Sequence, residues 1–143
     1  MGIEKLDRIQ WDSYDLKSPE GIKIEVKSSG YIQTWHQEKL SSLSFGIQPT
    51  LSWDSRTNLY GTEKRRQSDI YVFCILKHTD QETLNPLDIS QWDFYMLPTA
   101  ILNEKARKQK HITLPALIKL GAEKCEYQDL HQRIVYLIKG NQR

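Results

Sequence analysis

At 143 residues, 38% hydrophobic and 27% charged with a formal net charge of +2, the chain has the make-up of one soluble globular domain spanning residues 1–143. The longest apolar run, Ile70 to Leu76, is too short to span a bilayer and the first ten residues are polar and charged, so neither a membrane span nor a secretory signal is expected. Cys74 and Cys125 lie far apart without metal-ligand spacing, which suggests reduced thiols and a cytoplasmic protein, and the mild positive charge permits nucleic acid without demanding it.

Arg8 to Leu16 reads as a first strand and Ile22 to Ser29 as a second, joined by a turn at Pro19-Glu20-Gly21. In the second strand Ile22, Ile24 and Val26 alternate with Lys23, Glu25 and Lys27. Side chains on a strand point to opposite faces with a period of two, so one face is aliphatic and the other charged. Tyr31 to Leu43 has helical spacing through Ile32, Trp35, Leu40 and Leu43. Phe45 to Ile47 suits a short edge strand, and Gln48 to Gln67, without a clear period, reads as a long loop. Asp69 to Lys77 is the strongest strand, β-branched or aromatic and apolar on both faces, hence central in a covered sheet. Thr79 to Ser90 is a polar connection and Trp92 to Leu97 a further strand. Pro98 suits the first turn of a helix running to about Lys108. Thr113 caps a second helix, with Pro115 near its start and Gly121 at its end, and Tyr127 to Lys139 carries the apolar stripe of a third. The order is that of an α/β fold, with a central mixed sheet of about four to five strands flanked by helices.

The charged face of the second strand carries the candidate chemistry. Glu25 and Lys27 are next neighbours there, roughly 6.5–7 Å apart along the strand, and the turn returns Asp15 toward Glu25. Mg²⁺ takes oxygen ligands, usually one or two protein carboxylates with substrate phosphate and water. Asp15 and Glu25 supply two carboxylates and the Val26 backbone carbonyl a third oxygen. A metal there would polarise a phosphoryl oxygen and acidify a bound water, and Lys27 would position the attacking water or neutralise developing charge. From residue types alone the alternative stands open: a hairpin whose charged face is merely solvated.

Asp15, followed by Glu25-Val26-Lys27 at the end of an aliphatic strand, resembles the signature of the PD-(D/E)xK nuclease superfamily, the restriction-endonuclease-like fold. The run IEVKSS is similar to Holliday-junction resolvases and restriction-type enzymes, and Trp11 to Pro49 with RQSDIYVFCILKH and QWDFYMLPT resembles a family of small bacterial proteins within that superfamily. The resemblance implies a mixed sheet flanked by helices and Mg²⁺-dependent hydrolysis of DNA phosphodiesters, with Mn²⁺ as a substitute. It implies Asp15, Glu25 and Val26 as metal ligands, Asp15, Glu25 and Lys27 as the catalytic set, and a homodimer where two strands are cut. Tyr14 stands where the superfamily often has proline. Members usually begin with a helix, for which only Met1 to Asp7 are present, so a truncated or reduced version of the fold is expected. Asp12 is the reserve ligand should a bulge turn it to the Asp15 face, and Gln33 is a reserve contact to phosphate or metal-bound water. A catalytically inactive nucleic-acid-binding module, or a protein-interaction module, is the alternative use of the same fold.

Lys64, Arg65 and Arg66 in the long loop are the expected DNA-binding residues. Lys105, Arg107, Lys108 and Lys110 form a second basic cluster whose position near a helix C-terminus is favourable for cations in any case. The four histidines lack zinc-like spacing and read as surface, and the four tryptophans read as packing residues, Trp53 being the least clear.

Overall fold

In this computed structural model, residues 15–31, 43–54 and 59–140 are described, the side chains of 52–63 excepted. Residues 32–42, the bulk of the expected helix over 31–43, and most of the first strand lie outside those residues. The strands are β1 (Leu16–Lys17), β2 (Lys23–Gly30), β3 (Ser44–Gly46), β4 (Thr50–Asp54), β5 (Leu59–Arg65), β6 (Ile70–Leu76), β7 (Trp92–Pro98), β8 (His111–Thr113) and β9 (Glu123–Cys125). The α-helices are α1 (Thr99–Lys105), α2 (Leu114–Lys119) and α3 (Leu130–Val135).

The N-terminal turn forms as its residues dictate. Pro19 supplies the fixed φ of a turn's second position, and Gly21 donates from its N–H to the Ser18 carbonyl at 2.9 Å. Gly21 takes a φ of +90°, where an L side chain would be strained. The Ser18 hydroxyl accepts from the Ile22 N–H at 3.1 Å and closes the loop. This turn sets Leu16 opposite Ile24 in an antiparallel pair.

The main sheet has the order β1-β2-β6-β7-β9, and β2 runs parallel to β6 while the other neighbours are antiparallel. The fold is α/β with a five-stranded mixed sheet flanked by helices. As its composition demands, β6 is buried on both faces. Tyr71, Phe73 and Ile75 face one core with Phe45, Ile47, Leu97, Leu102, Ile112 and Leu117. Ile70 and Val72 face the other with Ile22, Ile24, Met96, Leu130 and Ile134, and Cys74 packs beside them. Burial pushes the Cys74 thiol up to about 12, so this is an inert core cysteine.

Helix punctuation follows the sequence. Thr113 Oγ1 accepts from the Ala116 N–H, Pro115 lies in the first turn of α2, and Gly121 beyond its end takes a φ of +95°. The third helical segment runs as a 3₁₀ turn over Tyr127–Asp129, then α3, then a π turn over Tyr136–Gly140. α1 is shorter than expected, ending at Lys105.

The reading of 48–67 as a long loop is corrected. β4 and β5 form an antiparallel hairpin, Thr50 opposite Arg65, with a register shift between Leu51 and Trp53. Strand preference depends on what each face meets, and a bulge breaks the period of two, so no alternation marks this hairpin in the sequence. β9 is a further strand that its polar sequence does not announce; it closes the sheet's edge against β7, Cys125 opposite Phe94. Among the described residues no helix is long and apolar enough to cross a membrane.

Candidate active site

Alternation along β2 sends Ile22 and Ile24 into one core and leaves Lys23, Glu25 and Lys27 on the opposite face. The β2–β6 register puts Glu25 beside Tyr71 and Lys27 beside Phe73. The polar residues of β2 therefore stand at the margin of the aromatic core rather than on an open charged face. Glu25 is 22% exposed and Lys27 34%, with Lys27 Nζ 3.9 Å from Glu25 Oε2.

Asp15 reaches this place from the preceding strand. Its backbone N–H donates to the Ile24 carbonyl at 3.0 Å, which ties the residue just ahead of β1 to β2. Its carboxylate Oδ2 accepts the Val26 N–H at 2.9 Å. The N–H and C=O of a strand residue face the same edge, as they do in an antiparallel pair that exchanges both bonds. The Val26 carbonyl is thus directed to the Asp15 edge of β2, away from β6. Asp15 is thus bonded to Val26, the residue between Glu25 and Lys27, and Lys27 lies beside Glu25. Asp12 and Gln33 lie outside the described residues.

Tyr71 is a neighbour that the sequence pattern hides inside an apolar strand. Its side chain is 3% exposed. Burial, reinforced by the carboxylates of Glu25 and Asp15 and opposed by Arg66, pushes its phenol up to about 12. The signal that would have revealed Tyr71 is the parallel register of β2 and β6, which no local pattern encodes.

Arg66 departs from its expected role and is corrected. It is 6% exposed, and its guanidinium faces inward. Nε donates to the Ile47 carbonyl at 2.7 Å, and the two terminal nitrogens donate to the carbonyls of Ala106, Arg107 and Gln109 and to Asn103 Oδ1 at 2.8–3.2 Å. A planar guanidinium with five donors suits such a fork of acceptors, whereas a phosphate would have to displace them. Lys64 and Arg65 remain exposed.

Among the described residues no group of three or more His, Cys, Asp or Glu converges as a metal cluster. An acid pair with a backbone carbonyl is nonetheless an all-oxygen donor set of the kind that suits Mg²⁺, which needs only one or two protein carboxylates.

The family model for bacteriophage T4 endonuclease IV matches residues 2–114. The chain belongs to the bacteriophage T4 endonuclease IV family. It is thereby placed among nucleases, and the matched region contains the Asp15–Glu25–Lys27 constellation, the β4–β5 hairpin, the central strand β6 and α1. No curated protein matches the chain.

Proposed function

We propose that this member of the endonuclease IV family is a divalent-metal-dependent DNA endonuclease of the PD-(D/E)xK type. The observation that carries the proposal is the bond between the Asp15 carboxylate and the Val26 N–H, which holds an acid from one strand against the Glu25-Val26-Lys27 segment of the next. The donors fit Mg²⁺, with Mn²⁺ as a substitute: Asp15 and Glu25 would hold the ion with the Val26 carbonyl. A bound divalent ion supplies Lewis-acid polarisation of the phosphoryl group and a lowered pKa for coordinated water.

The chain's own groups do the rest. Asp15 and Glu25 place negative charge where the ion is to be held, and the Val26 N–H fixes one carboxylate so that it need not be ordered when substrate arrives. Lys27 lies on the same face as Glu25 and is partly exposed, so its ammonium can meet a phosphoryl oxygen and offset the charge that develops on it. The Tyr71 phenol, protonated at neutral pH, keeps the inner wall of the site uncharged.

The test is Glu25→Gln, which removes a ligand charge with little change of shape. Cleavage of mixed single- and double-stranded DNA should require Mg²⁺ or Mn²⁺ in the wild-type protein and be lost in the variant, while the melting temperature without metal is kept or rises. Cleavage that survives Glu25→Gln would move the catalytic centre elsewhere.

A further inference from the structure

A cleft opens at the end of the main sheet, where β2 and β6 begin and β7 ends. Its volume is about 530 Å³, within the roughly 300–1,000 Å³ of small-molecule sites. Asp69 ties the three strands together there. Its N–H donates to the Lys23 carbonyl at 2.8 Å, its carboxylate Oδ2 accepts the Lys23 N–H at 2.9 Å, and its carbonyl accepts the Thr99 N–H at 3.0 Å. Lys23, which lines the cleft, lies two residues before Glu25 on the same face of β2, roughly 6.5–7 Å along the strand. One wall of the cleft therefore continues the strand face that carries Glu25.

Two hydroxyls in this wall lack the partners that burial demands. Ser68 and Thr99 line the cleft, are 5% and 3% exposed, and their Oγ and Oγ1 atoms make no hydrogen bond among the described residues. A buried polar group without a partner is costly, and most such groups in folded proteins are satisfied. Two amides of the same lining are each half engaged. Gln67 Nε2 donates to the carbonyls of Thr50 and Arg65 at 2.9 and 3.0 Å, so Oε1 is the end that it offers a ligand as an acceptor. Asn103 Oδ1 accepts from Arg66 at 3.1 Å, so its amide nitrogen is the end that offers donors. Pro98, Leu137 and Ile138 add apolar surface, and Lys23 and Arg65 add positive charge.

An acceptor, donors and two hydroxyls beside an apolar wall suit a flat heteroaromatic ring whose edge carries both donors and acceptors, and the cations suit an attached phosphate. A bare phosphate would leave the apolar wall and the Gln67 acceptor unused. We propose that this cleft is a nucleotide subsite, in which the base lies against Pro98, Leu137 and Ile138 with its edge bonded by Ser68, Thr99, Gln67 and Asn103, and the phosphate meets Lys23 and Arg65. The proposal rests on the reading of the protein as a nuclease, and adds to it a place where a base is held beside the acid pair. The same chemistry comes from two sources, a nucleotide within a strand and a free mononucleotide.

The experiment measures equilibrium binding to the full-length chain in the presence of chelator. The probes are the deoxynucleoside monophosphates, a short single-stranded oligonucleotide of mixed sequence, and deoxyribose phosphate, which carries the phosphate without a base. Ser68→Ala and Thr99→Val are combined in one variant, each removing a hydroxyl with little change of shape. The variant should melt at or above the wild-type temperature, because unpartnered buried hydroxyls are gone. It should bind nucleotide-bearing probes about fivefold more weakly or worse, the effect of one or two lost hydrogen bonds. If the pair fails to fold, Thr99→Val alone carries the same comparison. A loss confined to the oligonucleotide assigns the cleft to a nucleotide within a strand, and a loss for the monophosphates as well shows that it also takes a free nucleotide. Equal affinity of wild type and variant for every probe, deoxyribose phosphate bound as tightly as the monophosphates, or no binding of any probe overturns the proposal. Because binding is read without metal or turnover, a wild-type chain that binds but never cleaves strikes the catalytic proposal alone.

Discussion

Asp15 and Val26, eleven residues apart, meet where the Asp15 carboxylate accepts the Val26 backbone N–H at 2.9 Å. The bond makes Asp15 both a structural tie between two strands and a candidate metal ligand, and the two roles separate by substitution. Asp15→Asn retains an acceptor oxygen for Val26 but removes the charge; it should lose metal-dependent cleavage while holding stability within about 1 kcal/mol. Asp15→Ala should lose cleavage and about 1.5–3 kcal/mol as well, the range for a hydrogen bond to a charged group. Chemical denaturation beside a cleavage assay checks both.

Lys27 is expected to act late in the reaction. Lys27→Ala should leave Mn²⁺ affinity, read by calorimetry, within about threefold of wild type, because the ammonium is not a ligand. Turnover should fall by two to three orders of magnitude, roughly what the loss of one positioned charge-stabilising group costs. A variant that keeps wild-type turnover would remove Lys27 from the reaction.

Arg66 should prove a stability residue. Arg66→Ala strips partners from the carbonyls of Ile47, Ala106, Arg107 and Gln109 at once. Unpaired buried acceptors are costly, and a loss of about 3 kcal/mol is expected, on the order of 10 °C in melting temperature for a chain of this length. Arg66→Lys should recover only part of it, since one ammonium cannot reproduce the fork. Calorimetric melting of the two variants is the check.

The pair of Glu123 and Arg133 gives a pH signature. Arg133 donates to both carboxylate oxygens of Glu123 at 2.7 Å, and these bonds hold the Glu123 carboxyl below its ordinary value of 4.5. A depressed folded-state pKa means that the unfolded chain binds more protons. The stabilisation is therefore complete above the ordinary carboxylate range and lost as pH falls through the folded-state value. Both side chains are more than a third exposed, so solvent screening keeps the effect small. The difference in melting temperature between wild type and Glu123→Gln should shrink as pH is lowered from 6 toward 3. A constant difference would assign the pair no pH role.

What the sequence determined by itself is local. The period of two in Ile22–Lys27, the doubly apolar Ile70–Leu76, the turn at Pro19-Glu20-Gly21 and the Thr113-x-Pro115 cap each follow from sterics and hydrogen bonding within a few residues, and each is found where expected. The central strands Ile22–Ser29, Asp69–Lys77 and Trp92–Leu97 of a mixed sheet, with helices following the last of them, were legible in the same way. The tertiary structure alone decided which strands pair. β2 beside β6 in parallel, β4 with β5, and β9 against β7 are partnerships between segments whose patterns fit several registers. From those partnerships come the features that no local pattern carries. Tyr71 stands beside Glu25 because of the β2–β6 register, and Lys64 meets Arg107, Lys108 and Lys110 because both segments pack beside Ile47. Arg66 is the sharpest case. In the sequence it is the third residue of a basic run, indistinguishable from Lys64 and Arg65. Only the folded chain supplies the ring of carbonyls that offsets the desolvation of its buried charge.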